Sequence, residues 1–185
     1  MKILSALMIG TLSVCLVCGC ASHGAKKAIL DPAANSQLVA ENYHAADVLI
    51  SQARLKLAPE QPILIATIVN IDNLEQSSTF GRVTSEHIAT RFFQAGLKVI
   101  EMKFSQSVYM KRNEGELVLT REITNIARNH NVQAVVLGTY GKSSESAYVN
   151  VKLVIPGSNI ISASCDYVIP LDDEIRTLIG NKPWP

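Results

Sequence analysis

The amino-acid sequence predicts an α/β domain with a single mixed β-sheet of about five strands, helices packed on it, and α+β character at the C-terminal end. Two observations predict this class. Segments with helical periodicity first alternate with short β-rich segments, which is typical of parallel strands joined by helices. Three β-rich segments then follow one another, which indicates antiparallel hairpins. A chain of 185 residues is long enough for one domain with a substantial core.

The chain begins with a short basic start and an apolar run from Ile3 to Val17, which together are typical of a secretory signal. The run is shorter than the ~20 residues that a membrane-spanning helix needs. It leads into LVCGC, which resembles the lipobox of bacterial lipoproteins. The resemblance implies cleavage after residue 19 and lipidation of Cys20, with palmitate among the expected acyl chains. Ala21 follows, which in enterobacterial lipoprotein sorting favours release to the outer membrane.

The other cysteines allow alternative interpretations that are less favoured. Cys15 and Cys18 have the spacing of a redox pair, but they lie in an apolar run without a flanking βαβ pattern. A zinc site needs about four ligands, and His23 is the only further candidate nearby. Cys165 alternates with apolar residues, so we expect a small buried hydrophobe. An odd thiol that pairs between chains is the alternative for this residue.

The charge of the chain is balanced. It contains 17 Lys and Arg against 16 Asp and Glu, and cleavage after residue 19 removes Lys2, so 16 of each sign remain. A balance of zero gives no electrostatic footprint for nucleic acid. Because aromatic residues make up only 5% of the chain, a platform for stacking bases or sugars is not expected.

The mature chain is expected to start with a tether and a helix. Residues 20–36 are small and polar, and they predict a flexible tether behind the lipidated cysteine. The globular domain is expected to span residues 37–182. Its first helix is predicted at residues 37–57, where apolar residues recur at helical spacing. Pro59 and Pro62 are expected to end it.

A strand and a second helix follow. Residues 63–69, ILIATIV, are apolar and rich in β-branched side chains, so they predict one buried strand. The next helix is predicted at residues 79–95. Ser77 or Ser78 is expected to cap its start, and Gly96 to end it.

The second half begins with a strand at residues 97–103 and a helix that follows Thr120 as its cap. Three strands come next, in AVVLGTY, AYVNVKLVIP and NIISASCDYVI. In the middle one, apolar residues alternate with Tyr148, Asn150 and Lys152, so we expect one buried and one solvated face. The chain ends with the helix DDEIRTLI, whose acidic start suits the positive end of the helix dipole.

No constellation in the sequence predicts catalysis. No two of the four histidines lie four residues apart, and a HExxH motif is absent. Ser85-Glu86-His87 is contiguous on a helix, so the three side chains point apart and do not form a triad. GTYGKS has two residues between its glycines where a phosphate loop needs four, and it is interpreted as a hairpin turn. We expect no catalytic residue, metal or cofactor, while a periplasmic hydrolase or metal enzyme assembled from distant residues stays open.

Several stretches resemble the FlgO family in both order and spacing. They are ILIATIVNIDNLEQSSTFGRVTSEHIATRFFQAGLKVIEMK, GELVLTREITNIA, VVLGTY, YVNVKLV and DYVIPLDDEIR, and together they run from about Glu41 to Ile179. The resemblance implies an outer-membrane lipoprotein of polarly flagellated bacteria that acts with FlgP-like and FlgT-like proteins around the flagellar basal body. It also implies a domain similar to the amino-terminal domain of TolB. It supplies no catalytic residues.

The lipobox and the FlgO-like segments together favour a lipid-anchored structural or assembly protein. It would sit in the outer membrane facing the periplasm, support the flagellum through protein contacts, bind no nucleic acid, and be compatible with a homo-oligomer. A second hypothesis is an adaptor or activator of a cell-wall synthase or export channel, which rests on the TolB-like architecture alone. The exposed edge of the antiparallel strands and the loop at residues 72–78 are candidate contact surfaces.

Overall fold

The helices and strands of the chain are seen in a computed structural model that describes residues 32–54, 56–74, 77–101 and 121–180. The predicted signal peptide, Cys20 and the candidate cap Thr120 lie outside these residues. Within them, one mixed sheet of six strands is combined with helices. The sequence-based prediction of a single mixed α/β sheet is therefore confirmed, with one strand more than expected.

Most of the helices begin close to where the sequence places them. Ser36, Ser78 and Asp172 each accept a backbone N–H bond at the start of a helix, as capping residues do. The described helices are Pro32–Asn35 (α1), Gln37–Ala53 (α2), Thr79–Gln94 (α3), Arg121–Asn129 (α4) and Asp173–Ile179 (α5). Helix α1 lies within the segment that the sequence predicts as a tether.

Helix α2 ends four residues before the predicted position. The chain after it is held by the Gln133 side chain, whose Oε1 accepts the Ala58 N–H at 2.7 Å. Gln133 Nε2 in turn donates to the carbonyls of Ala58 and Gln61. These contacts come from a residue far along the chain, and they take up backbone groups in a turn conformation. Local propensity therefore overestimates the length of α2.

The described strands are Ile63–Ile65 (β1), Val69–Asn70 (β2), Val99–Glu101 (β3), Ala134–Lys142 (β4), Ser146–Ile155 (β5) and Ile160–Pro170 (β6). They form one sheet in the order β3-β1-β4-β5-β6, with β2 beside β4. Strand β1 pairs in parallel with β3 and β4, while β4, β5 and β6 pair antiparallel. This confirms the parallel first half and the antiparallel second half that the sequence predicts.

The strand predicted at residues 63–69 is divided in the structure. Strand β1 ends at Ile65 and β2 begins at Val69, and the facing stretch of β4 is one residue shorter, as at a β-bulge. At the break, the side chain of Ile68 is fully buried and its N–H donates to Ser85 Oγ at 2.9 Å. The prediction of one continuous strand was wrong, because α3 provides the hydrogen-bond partner there in place of β4.

The GTYGKS segment is mostly strand. Residues 138–142 belong to β4, and Lys142 is still paired with Ala147 across β5. The turn comes one step later, where Ser143 Oγ accepts the N–H groups of Glu145 and Ser146. A hairpin turn is therefore present next to this segment, at residues 143–146. The two glycines themselves lie in β4, because cross-strand pairing extends past them.

The hydrophobic core lies on both faces of the sheet and is unequally divided. On one face, α2, α3 and α5 cover the sheet, with Leu49, Phe80 and Phe92 fully buried between them. On the other face, a smaller cluster joins Ala127 of α4 to the part of the sheet around Leu64, Val135 and Val154. The alternation predicted for β5 is confirmed on the first face by four buried residues, Ala147, Val149, Val151 and Leu153.

Candidate interaction surface

On the sheet face opposite α2, α3 and α5, the part farthest from β1 is not covered by any helix among the described residues. We call this region the open face. It surrounds a shallow depression of about 310 Å³. Alternation along each strand places these side chains on the side opposite α2, α3 and α5. The open face consists of Ile71, Thr139, Gly141, Tyr148, Asn150, Asp166 and Val168.

One row of the open face is apolar. Gly141, Tyr148 and Val168 are direct cross-strand neighbours on β4, β5 and β6. Tyr148 is 56% exposed, Val168 46%, and the adjacent Ile71 58%. Gly141 has no side chain, and Ile71 Cγ2 lies 3.1 Å from the position that a Cβ would take there. An aromatic ring and two branched side chains therefore meet solvent together, which is typical of a contact surface.

A polar row runs beside it. Thr139, Asn150 and Asp166 are cross-strand neighbours, and the Asn150 amide donates to the Asp166 carboxylate. Lys152 lies diagonally from Asp166, and no ion pair joins the two. The carboxylate is thus oriented by an amide and is not neutralised by a basic side chain of the described chain. This end of the open face carries a negative charge.

The edge of β6 borders the open face. The backbone of Ser164 points away from β5, since its N–H donates to Gln52 Oε1 at 3.0 Å and its carbonyl accepts from Gln52 Nε2 at 3.2 Å. Because edge-facing groups recur every second residue in an antiparallel pair, those of Asp166 and Val168 also point outward. Pro170 comes next in this series and has no N–H.

The three histidines in the described part of the chain occupy separate positions. His44 and His130 are exposed, while His87 lies partly buried between α2 and α3. The Asn42 amide donates to His87 Nδ1 at 3.0 Å, and Asn42 Oδ1 accepts from the Tyr167 hydroxyl. Burial lowers the pKa of His87 and raises the pKa of Tyr167. The set therefore joins two helices and a strand through hydrogen bonds.

The remaining candidate groups are structural. Ser85 Oγ donates to the Gly81 carbonyl at 2.7 Å, so it is not directed at His87. Cys165 is partly buried and packs against the core, which modifies the expectation of full burial. Burial, with the charges of Asp166 and Glu41, raises the pKa of its thiol. In the part of the chain that is described, no cluster of three or more His, Cys, Asp or Glu side chains could hold a metal ion.

Two parts of this surface were expected from the sequence: the polar side of β5, from alternation, and an exposed edge of the antiparallel strands. Tyr148 and Asn150 were expected to be solvated, but nothing in the pattern placed Ile71 beside them. Ile71 reaches the open face because β2 pairs with the far end of β4. The bond between Gln52 and Ser164 joins residues that lie 112 positions apart, and no local signal could reveal it.

The fold and this surface define a class: a mixed α/β domain whose described residues leave part of one sheet face without a helix and the edge of β6 without a neighbouring strand. Those residues also contain no cluster of three or more His, Cys, Asp or Glu side chains that could hold a metal ion. Among those residues, no helix has the length and apolar character needed to cross a membrane.

The chain belongs to the FlgO family, because the family model described as FlgO protein matches residues 43–174. This confirms the resemblance noted in the sequence and supports an envelope lipoprotein. No curated protein gave a significant match.

Several solved structures are similar to the chain. They include the LpoB C-terminal domain from Salmonella enterica, at 12% identity, covering 70% of this chain and 98% of that chain, with a TM-score of 0.46. The PelC dodecamer from Paraburkholderia phytofirmans has 13% identity, 62% and 74% coverage, and a TM-score of 0.42. Lipoprotein GNA1162 from Neisseria meningitidis has 12% identity, 61% and 82% coverage, and a TM-score of 0.40. The sequence identities and the TM-scores are both low, so no functional conclusion follows from these similarities.

Proposed function

We propose that this chain is a lipoprotein anchored in the outer membrane through Cys20, with its domain in the periplasm, and that it supports the flagellum through protein contacts. The observation that carries the proposal is the FlgO family match over residues 43–174. The LVCGC sequence at the end of the apolar signal supports the anchor. FlgP-like and FlgT-like envelope proteins are the proposed partners, and no turnover is involved.

The proposed anchor has a physical basis in the chemistry of the signal. A thiol is the nucleophile that lipidation needs, and Gly19 before Cys20 leaves the backbone open to the signal protease. One acyl chain gives only marginal membrane binding, whereas two or more give stable anchoring. An anchored domain is confined to a thin layer at the membrane, which raises its effective concentration toward partners in that layer.

The described domain is suited to binding without chemistry. Buried Asn42 bonds to partly buried His87 and to the Tyr167 hydroxyl, so these groups already have partners within the domain. Three of its exposed apolar side chains, Ile71, Tyr148 and Val168, lie together on the open face. A protein partner that covers this face would remove the apolar area from water, which is the main favourable term in most protein association.

The test is complementation of a deletion strain with the wild-type, Cys20→Ala and Cys15→Ala genes. Cys15→Ala is the matched control, since it removes a thiol of the same signal outside the lipobox. We expect sparse or fragile filaments and reduced soft-agar spreading in the deletion, with restoration by wild type and Cys15→Ala but not by Cys20→Ala. Metabolic labelling with a palmitate analogue should follow the same pattern.

Normal filaments and spreading in the deletion strain would reject the flagellar role. Labelling of Cys20 in that case would retain the lipoprotein and transfer the function to another envelope machine. Whole-cell crosslinking that recovers a cell-wall synthase or an export channel and no flagellar protein would then favour the adaptor hypothesis.

A further inference from the structure

We propose that the free edge of β6 at residues 166–168, together with the open face, binds an extended segment of another protein as an added strand. The segment would carry a basic residue opposite Asp166 and an apolar residue opposite Val168. This inference deepens the proposed role in protein contact and rests on it, but it depends neither on the flagellum nor on the anchor.

The first argument concerns backbone hydrogen bonds. Strand β6 is at the end of the sheet, so its outer N–H and C=O groups have no neighbouring strand among the described residues. The outward groups are those of Ser164, Asp166, Val168 and Pro170, because the pairing alternates. Asp166 and Val168 are both exposed. An added strand can bond to these two residues in the way that peptides extend exposed sheets.

The second argument concerns the ends of this edge. At one end, the Gln52 amide bonds to both backbone groups of Ser164 and acts in place of a neighbouring strand. At the other end, Pro170 lacks an N–H. Such features protect edge strands against long, unspecific pairing. The chain therefore leaves a short edge of about two bonding residues, which fits a short peptide segment better than a long strand.

The third argument concerns side chains. Residues opposite Asp166 and Val168 on an added strand are two positions apart and project onto the open face. The position next to Asp166 extends the polar row, where a carboxylate without a basic partner favours Lys or Arg. The position next to Val168 extends the apolar row that includes Tyr148. Charge complementarity and alternation thus define the pattern of the segment.

A second copy of the chain fits this edge less well. Antiparallel pairing of β6 with itself, centred on Tyr167, places Asp166 opposite Val168 of the other copy. Centred on Asp166, it places two carboxylates opposite each other, which is unfavourable. In neither arrangement does a basic side chain meet Asp166.

The test is photocrosslinking of the full-length chain in cells, with a photoreactive amino acid at Tyr148 and identification of the captured peptide by mass spectrometry. The same amino acid at Phe93, which is exposed on α3, is the positional control. We expect the Tyr148 probe to capture one segment of another protein, with Lys or Arg two residues from an apolar residue. The Phe93 probe should not capture it.

Four variants test the geometry of the edge. Val168→Pro removes the outward N–H and should lower the crosslink yield about tenfold, while Val168→Thr keeps the backbone and should stay within about twofold. Asp166→Lys should lower the yield about fivefold or more, and Asp166→Asn about twofold to fivefold. Circular dichroism and thermal unfolding of each variant show whether the fold is retained.

Absence of a captured segment, a segment without a basic residue, crosslinks to the chain itself, or unchanged yield from a folded Val168→Pro variant would each overturn the inference. The flagellar proposal fails separately. A captured segment of the expected pattern in a non-flagellar protein would support the edge site and reject the flagellar role. Loss of motility in Cys20→Ala without any captured segment would support the flagellar role and reject the edge site.

Discussion

The two faces of the antiparallel strands β4, β5 and β6 differ in how deeply their side chains are buried. On one face, alternate residues are buried beneath α2, α3 and α5, with Phe80 and Leu49 fully enclosed. On the other face, within residues 32–180 as far as they are described, α4 covers the part near β1, while Tyr148 and Val168 are exposed. Antiparallel sheets are stable with one face buried. The comparison teaches that, in the part of the chain that is described, the helix-covered face buries more apolar side chains than the opposite face does.

The largest expected effect comes from two adjacent phenylalanines of α3. Phe92 is fully buried and Phe93 is 71% exposed. Phe92→Ala should lower the free energy of unfolding by about 3–5 kcal/mol, because it removes buried apolar surface and leaves a cavity. Phe93→Ala should change it by less than about 0.5 kcal/mol. Urea unfolding of both variants makes the measurement, and similar losses would contradict the division into covered and exposed regions.

Two glycines of β4 give the next pair. A Cβ on Gly138 would lie 2.2 Å from the backbone oxygen of Asn150, whereas one on Gly141 would lie 3.1 Å from Ile71 Cγ2. Gly138→Ala should cost about 3 kcal/mol, since the contact is with a fixed backbone atom. Gly141→Ala should cost less than about 1 kcal/mol, because a side chain can adjust on the open face. Thermal unfolding midpoints compare the two, and an equal decrease would show that the open face is as tightly packed as the core.

Removal of one hydroxyl group from each of two tyrosines compares the covered face with the open face. The Tyr167 hydroxyl donates to buried Asn42, while Tyr148 is exposed. Tyr167→Phe should lower the free energy of unfolding by about 1–3 kcal/mol, because an Asn42 lone pair is left buried without a partner. Tyr148→Phe should be neutral within about 0.5 kcal/mol. A neutral Tyr167→Phe in urea unfolding would mean that the Asn42 network does not stabilise the domain.

The smallest expected effect is the pH dependence contributed by His87. Burial lowers its pKa in the folded state below the usual 6.5. The unfolded state therefore binds more protons between the two pKa values, and stability is full above pH 6.5 and falls as the pH decreases through this range. His87→Gln, which keeps an acceptor for the Asn42 amide, should flatten this slope.

The control for His87 is His44→Gln, a change at an exposed histidine of α2. Urea midpoints measured from about pH 5 to about pH 8 should keep the wild-type slope in this control. An unchanged slope in His87→Gln would show that another group is responsible for the acid sensitivity.

Sequence patterns were sufficient where the deciding interactions are local. The cap at Ser78 and the end of α3 near Gly96 depend on residues within a few positions, and the structure has both as expected. The alternation in β5 correctly separated buried Val149 and Val151 from partly or fully exposed Tyr148 and Asn150. The acids at the start of α5 likewise lie in its first turn, with Asp172 as the cap.

Patterns failed where a distant part of the chain decides. The ILIATIV pattern predicts one strand, but the structure has two, because the Ile68 N–H donates to Ser85 Oγ. The sequence predicts a longer α2 than the structure has, because Gln133 hydrogen-bonds to the backbone of the chain that follows the helix. Both deciding residues are polar side chains whose partners become visible only when helices and strands are packed together.

The sequence by itself determined the class of sheet, the parallel and antiparallel halves, most helix starts and the family resemblance, because these follow from periodicity, capping and ordered motifs. Only the tertiary structure decided, for the described residues, which part of the sheet has no helix over it and which stretch of the β6 edge has no bonding partner. The reason is physical: α4 reaches only part of one face, and a single amide from Gln52 closes one end of the edge. Exposure of this kind depends on what packs against a residue, and no local pattern records it.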